Sequence, residues 1–93
     1  MLARVLMSRD ADRDLERVPL HIRNKLIAWV HLVEDKGLRM ARLIPGFHDE
    51  LLKGDRKGQR SIRLSIHYRA IYTVADDGAI DVVTVEEVTK HDY

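Results

Sequence analysis

The second half of the chain concentrates side chains that can transfer protons or bind phosphate. The acid–base groups are Glu50, His91 and Tyr93. The cationic groups are Lys53, Arg56, Lys57, Arg60, Arg63 and Arg69. Cleavage of RNA without a metal ion needs both kinds of group. The 2′-hydroxyl must lose a proton, the leaving 5′-oxygen must gain one, and the phosphorane between them needs positive charge. The residue types therefore suit metal-free phosphodiester chemistry.

Charge is distributed unevenly along the chain, although the net charge is only +1. Residues 51–70 carry six bases against the single acid Asp55, whereas residues 71–93 carry six acids against the single base Lys90. A basic block followed by an acidic one hides a strong local field behind a nearly neutral total. The alternative interpretation is that the bases only solvate a loop and one face of a strand.

Other common site chemistries find little support in the motifs. The triplet from His48 to Glu50 is too local to complete a metal coordination sphere, and Gly54 and Gly58 lack the pattern of a phosphate-binding loop. No serine lies in a nucleophile-elbow context. The sequence therefore predicts neither a metal nor a cofactor.

Length and composition limit the class of protein. Ninety-three residues predict one domain, spanning 1–93, and 45% hydrophobic with 33% charged residues is typical of a globular chain. The absence of cysteine excludes disulfides and thiolate chemistry and favours the reducing cytoplasm. The apolar run from Met1 to Met7 is interrupted by Arg4, and no segment is long enough to predict a membrane span or a signal peptide.

Apolar spacing predicts two helices after a short first strand at Leu2–Met7. Ser8 and Asp10 are suitable N-terminal caps for a helix over Asp10–Val18, which Pro19 ends. A second, amphipathic helix follows, and Gly37 is its natural end. Its apolar residues recur at three- and four-residue steps: Ile22, Leu26, Trp29, Val30 and Val33. The segment Leu38–Asp49 is interpreted as a loop or a short helical piece.

The period then changes to the alternation of β-strands. Strands are predicted at Ser61–Ser65, at Tyr68–Val74 and at Ile80–Val88, the last two joined by a hairpin turn at Asp76–Gly78. The element order β-α-α-β-β-β predicts an α+β fold. We expect a small antiparallel sheet with the two N-terminal helices packed on one face and the first strand at an edge. The other face would remain open to substrate.

The order and spacing of four segments resemble the RelE/ParE toxin superfamily. These segments are Asp49–Gly54, Arg60–Leu64, Tyr68–Tyr72 and Lys90–Tyr93. The resemblance covers nearly the whole chain and is greatest to the ribosome-dependent RelE/YoeB-like mRNA interferases. It implies a toxin of a type II toxin–antitoxin pair that binds in the 30S ribosomal A site and cuts the message without a metal. It also implies a hetero-oligomer with a cognate antitoxin, whose acidic or amphipathic segment covers the cationic face around Arg63 and Arg69.

The same resemblance implies roles for individual residues. Glu50 matches the general base, Arg69 the arginine that stabilises the phosphorane, and His91 the general acid. Tyr93 matches the terminal tyrosine that stacks on a base or assists proton transfer. RNA would be held by Lys53, Arg56, Lys57, Arg60, Arg63 and Lys90. The chain departs from the YoeB-like ending because Asp92 separates His91 from Tyr93.

Two other functions remain open, namely a ParE-like inhibitor of DNA gyrase and a catalytically inactive module that only binds an antitoxin. The residues also have ordinary interpretations. Glu50 could pair with Lys53, and Arg69 could pair with Glu87 across strands. His91 could be solvated and Tyr93 frayed. His21, His31, His48 and His67 are interpreted as structural or surface residues, with His48 the first exception to consider. Trp29 and Tyr72 are predicted to lie in the core.

Overall fold

A computed structural model describes residues 2–76 and 78–90 of the chain. Within these residues the chain forms three α-helices: α1 Arg9–Leu15, α2 Leu20–Lys36 and α3 Leu38–Arg42. It also forms five β-strands: β1 Leu2–Met7, β2 Glu50–Leu51, β3 Arg60–Arg63, β4 Tyr68–Asp76 and β5 Ile80–Lys90. Short 3-10 turns at Pro45–Phe47 and Gly54–Arg56 flank β2. The predicted α+β fold is confirmed.

The strands form one sheet in the order β1-β5-β4-β3-β2. The pairs β2–β3, β3–β4 and β4–β5 are antiparallel, but β1 runs parallel to β5. The sheet is therefore mixed, whereas an antiparallel sheet was expected. Apolar alternation in β1 specifies which face points inward and carries no information about direction. The direction follows from tertiary docking: at the end of β1 the Ser8 amide donates to the Val85 carbonyl at 2.9 Å.

The starts of α1 and α2 agree with the capping residues, whereas α1 ends at Leu15 and not at Val18 as predicted. The Ser8 hydroxyl accepts from the Ala11 amide at 3.0 Å and starts α1, while Pro19 precedes α2 with a φ of −57°. Gly37 adopts a φ of 89°, which glycine tolerates without steric cost, and it separates α2 from α3. No helix in the described ranges is both long and apolar enough to cross a membrane.

The core lies between the helices and one face of the sheet. Opposing residues of antiparallel strands share a face, and the row Ile62, Ala70 and Val88 on β3, β4 and β5 is buried against the helices. Trp29 of α2 packs on Tyr72 of β4 with ring centroids 5.1 Å apart, and both side chains are fully buried. Their predicted place in the core is confirmed.

A β-bulge in β5 links the helices to the opposite, helix-free face. The β4–β5 register shifts between Ile71 and Tyr72, which are paired with Glu87 and Val85, so Glu86 is the extra residue. The Ser8 hydroxyl donates to the Glu86 carbonyl at 2.6 Å. The same hydroxyl therefore caps α1 and provides a hydrogen-bond donor for the carbonyl group of the bulge. It couples the start of the helix to the strand.

Replacing Ser8 with alanine should lower the free energy of unfolding by about 1–2 kcal/mol, because the helix cap and the Glu86 contact are lost together. Chemical denaturation measures the change. Ser8→Asp is the matched variant: aspartate can still cap the helix but cannot donate to the Glu86 carbonyl, so it should recover part of the loss. Equal stability of the Ser8→Ala variant and the wild type would contradict the dual role.

Candidate active site

An open cleft of about 90 Å³ lies where β2, β3 and β4 meet. It is lined by His48, Glu50, Ser61, Ile62, Arg63, Ser65, Ile66, Tyr68 and Arg69. Pockets that enclose a small molecule usually measure roughly 300–1,000 Å³. The smaller, open cleft is better suited to one group of a surface-bound substrate, such as a single phosphate, than to an enclosed cofactor.

The strand register places the charged residues of the cleft on the helix-free face. Glu50 on β2 is opposite Ser61 on β3, and Arg63 on β3 is opposite Arg69 on β4. Ser61 and Arg63 are the two neighbours of Ile62 on β3, and Ile62 faces the helices. Side chains alternate along a strand, so both pairs lie on the other face of the sheet. Two residues from distant parts of the sequence, Glu50 and Arg69, are thus brought to one cleft.

Two arginines stand directly opposite each other in this cleft. Like charges at opposing positions of antiparallel strands destabilise a sheet. Neither Arg63 nor Arg69 makes an ion pair or side-chain hydrogen bond with any residue in 2–76 or 78–90. The Nε of Arg69 is also buried without a hydrogen-bond partner there. Unpaired buried polar atoms are rare because they lose hydration without compensation. The two guanidinium groups together have the charge and the donors that an anion requires.

The carboxylate of Glu50 is exposed and forms no ion pair with the described residues, so the alternative Glu50–Lys53 pair is absent there. The alternative Arg69–Glu87 pair is absent too, since the Glu87 carboxylate accepts from Arg56 at 2.9 Å. The other acid of the bulge, Glu86, accepts from the Thr73 hydroxyl at 2.7 Å. Glu86 and Glu87 are therefore already occupied by other partners.

Asp49 anchors the segment that carries Glu50. Its side chain is only 1% exposed, and its carboxylate accepts from Arg60 Nε at 2.7 Å and from the Tyr72 hydroxyl. Burial raises the pKa of Tyr72 to about 12; the nearby Arg42 opposes this increase, and the Asp49 carboxylate adds to it. Burial alone would lower the pKa of Arg60, but the bond and attraction to Asp49 raise it overall.

His48 is exposed, as expected of a surface histidine, and it also lines the cleft. It has φ 44° and ψ 52°, and it is the one non-glycine residue with a positive φ in the ranges 2–76 and 78–90. Nothing in the local sequence indicates this conformation, because it follows from the 3-10 turn at Pro45–Phe47. Ser65 and Ile66 are further lining residues that no motif suggested, whereas Tyr68, which also lines the cleft, begins the segment Tyr68–Tyr72 of the resemblance.

The other predicted RNA-binding residues differ in their surroundings. Lys53, Lys57 and Lys90 are exposed and form no ion pair with described residues. Arg56 is bound to Glu87 and Gln59, and Arg60 is bound to Asp49 on the helix side. His91, Asp92 and Tyr93 lie outside the described residues, as does Asp77 of the predicted hairpin turn.

Metal-binding side chains do not gather in this region of the chain. Across residues 2–76 and 78–90, no three histidine, aspartate or glutamate side chains are grouped as they would be around a metal ion. The polar side chains that line the described cleft are one free carboxylate, one imidazole, two unpaired guanidinium groups, the phenol of Tyr68 and two serine hydroxyls.

Comparison with solved structures identifies the fold. A YoeB/ParE toxin from Agrobacterium tumefaciens is 22% identical, with a TM-score of 0.69, over 96% of this chain and 99% of that one. A chain of the DinJ–YafQ toxin–antitoxin complex of E. coli is 20% identical, with a TM-score of 0.74, over 98% and 94%. A chain of the RelBE2 toxin–antitoxin complex of Mycobacterium tuberculosis is 21% identical, with a TM-score of 0.70, over 98% of this chain and 100% of that one.

Neither a protein-family model nor a curated protein sequence matches the chain. The expected resemblance to the RelE/ParE toxin superfamily is confirmed by these structures, at the level of the fold. The chain has the RelE-like toxin fold.

The raised pKa of Tyr72 predicts a loss of stability in alkali. The pKa is about 12 in the folded chain and about 10 in an unfolded one, so the contribution is complete below pH 10 and is lost between about pH 10 and 12. A difference of two pKa units corresponds to about 2–3 kcal/mol in the free energy of unfolding. Chemical denaturation of the wild type and of Tyr72→Phe at increasing pH measures it.

The phenylalanine variant cannot ionise at this position, although it also lacks the hydroxyl that donates to Asp49. The stability advantage of the wild type should therefore be constant up to about pH 10 and shrink above it. A difference that stays constant into strong alkali would contradict the assignment.

Proposed function

We propose that the protein is the toxin of a type II toxin–antitoxin pair and a ribosome-dependent, metal-free endoribonuclease that cleaves mRNA. The observation that carries the proposal is the opposition of Arg63 and Arg69 beside the free carboxylate of Glu50. Two unpaired cations side by side are costly in the free protein and become favourable when a phosphate lies between them.

In the proposed reaction, the Glu50 carboxylate removes the proton of the 2′-hydroxyl. The 2′-oxygen then attacks the adjacent phosphorus, and the bond from phosphorus to the 5′-oxygen breaks. Arg69, with Arg63 beside it, stabilises the additional negative charge of the phosphorane, since a planar guanidinium can bind two phosphate oxygens together. The products are a 2′,3′-cyclic phosphate and a free 5′-hydroxyl once the leaving oxygen is protonated.

The resemblance assigns protonation of the leaving oxygen to His91, and it gives Tyr93 a stacking or proton-transfer role. Lys90, the last residue of β5, lies opposite Tyr68, which lines the cleft. The chain is thus beside the cleft where the described residues end. That proximity supports the assignment of the terminal residues to the same site.

Exposed lysines provide a surface for the RNA backbone. Lys53, Lys57 and Lys90 are exposed and unpaired with the described residues, and they would bind phosphates of message or ribosomal RNA in the 30S A site. Arg56 would join them if Glu87 released it. Arg60 has a structural partner in Asp49, so we expect its contribution to RNA binding to be smaller than that of the unpaired lysines.

An antitoxin partner is the second part of the proposal. Solved complexes of this fold include DinJ–YafQ and RelBE2, each a toxin–antitoxin complex. An unpaired cationic surface favours an acidic or amphipathic partner segment, because binding replaces repulsion with opposite-charge contacts. We propose that the antitoxin covers Arg63 and Arg69 and keeps the toxin inactive in the cytoplasm.

Replacing Glu50 with glutamine, or Arg69 with lysine, should reduce mRNA cleavage by about 100-fold or more, because each removes a transition-state interaction while keeping similar size. Primer extension on a translated message after induction measures cleavage. Cuts should fall within codons and disappear when translation is blocked.

Glu16→Gln and Arg17→Lys are matched controls, since they make the same chemical changes at exposed positions near the end of α1. Both should retain full activity. Growth arrest that persists in folded Glu50→Gln and Arg69→Lys variants would instead support a gyrase inhibitor or another target.

The antitoxin complex should protect the cleft. We expect arginine-directed chemical modification of Arg63 to be suppressed in the purified toxin–antitoxin complex relative to the free toxin. Arg17 is the internal reference because it is exposed near the helix side. Equal modification of Arg63 in both states would place the antitoxin elsewhere on the molecule.

A further inference from the structure

We propose that His48 is a catalytic residue that donates a proton to the leaving 5′-oxygen. The inference rests on the proposed function and gives to His48 the proton donation that the resemblance assigns to His91. It starts from the position of His48 among the residues that line the cleft with Glu50, Arg63 and Arg69.

The backbone at His48 is held in a strained conformation. A left-handed conformation costs a residue with a side chain roughly 1–2 kcal/mol, and glycine would adopt it without that cost. Strained positions of this kind often occur where function requires a particular side chain. Here a glycine would make the same turn more easily, so the presence of an imidazole calls for a role of the side chain.

The anchoring of Asp49 explains how His48 reaches the cleft. The Asp49 side chain points to the helix side, where Arg60 and Tyr72 bind it. Its two neighbours, His48 and Glu50, both line the cleft. The imidazole makes no hydrogen bond to any residue in 2–76 or 78–90, so no internal partner competes with a substrate.

The chemistry of the described cleft residues assigns the role. A carboxylate is ionised at neutral pH and suits the base, whereas a guanidinium keeps its proton throughout. Histidine is the side-chain type that both holds and releases a proton near neutrality. As the bond between phosphorus and the 5′-oxygen breaks, its electron pair remains on that oxygen. The His48 imidazolium supplies the proton and becomes neutral imidazole, while Glu50 retains the proton of the 2′-hydroxyl.

The first test separates the side chain from the backbone. His48→Asn and His48→Gly both tolerate the left-handed conformation, so both should fold with stability close to that of the wild type. Cleavage of a message bound in the A site of a programmed ribosome should nevertheless fall by about 100-fold or more in each. His21→Asn, an exposed histidine on α2, is the matched control and should be fully active. A purely structural turn at His48 predicts wild-type rates for both variants.

The second test identifies the proton that His48 transfers. The probe is the same message with sulfur in place of the 5′-bridging oxygen at the cleavage position. A thiolate leaves without being protonated, so His48→Asn should cleave this message at close to the wild-type rate. Glu50→Gln should remain slow on it, because the 2′-hydroxyl still needs a base.

The outcomes distinguish the inference from the proposed function. Full activity of His48→Asn on the normal message, with Glu50→Gln inactive, would overturn the role of His48 and leave the nuclease intact. Rescue by sulfur in His91→Asn but not in His48→Asn would assign the proton donor to His91 and also overturn the inference. Unchanged cleavage by Glu50→Gln and Arg69→Lys would contradict the proposed function itself.

Discussion

The buried carboxylate of Asp49 is the interaction on which the cleft depends. It accepts from Arg60 on β3 and from Tyr72 on β4, so it ties an irregular segment to two strands of the sheet. A carboxylate removed from water needs such partners to remain ionised. Because this side chain turns towards the helices, its neighbours in sequence line the opposite side. One buried acid thus orients two residues of the cleft.

The helix-free face carries features that lower the stability of the free protein. Arg63 and Arg69 repel each other across neighbouring strands, and His48 adds a strained backbone nearby. The rest of the fold compensates for these costs through a core in which Trp29 and Tyr72 are fully buried. Local conflicts of this kind are characteristic of functional sites, since selection for stability alone would remove them.

Much of the fold could be predicted from the sequence because its signals are local. Ser8, Pro19 and Gly37 mark the helix ends through capping and backbone preference, and alternation identifies β3, β4 and β5. The two-residue strand β2 is too short to show a period, and the direction of β1 depends on docking against β5.

The site was less accessible to sequence reasoning. Glu50 and Arg69 are indicated by the resemblance and lie at one cleft in the structure, whereas the position of His48 in that cleft depends on a turn geometry that its neighbours do not encode. The pairing of Arg60 with Asp49 is equally hidden in the sequence, because a basic block has the same composition whether its members are free or bound.

The parallel pairing of β1 with β5 joins two strands that lie far apart in the sequence. During synthesis β1 is made well before the strand with which it pairs. The five-stranded sheet therefore stays incomplete until β5 has been synthesised, since contacts between such distant segments cannot form earlier. Until then a nascent chain with this topology carries β1 without its partner strand.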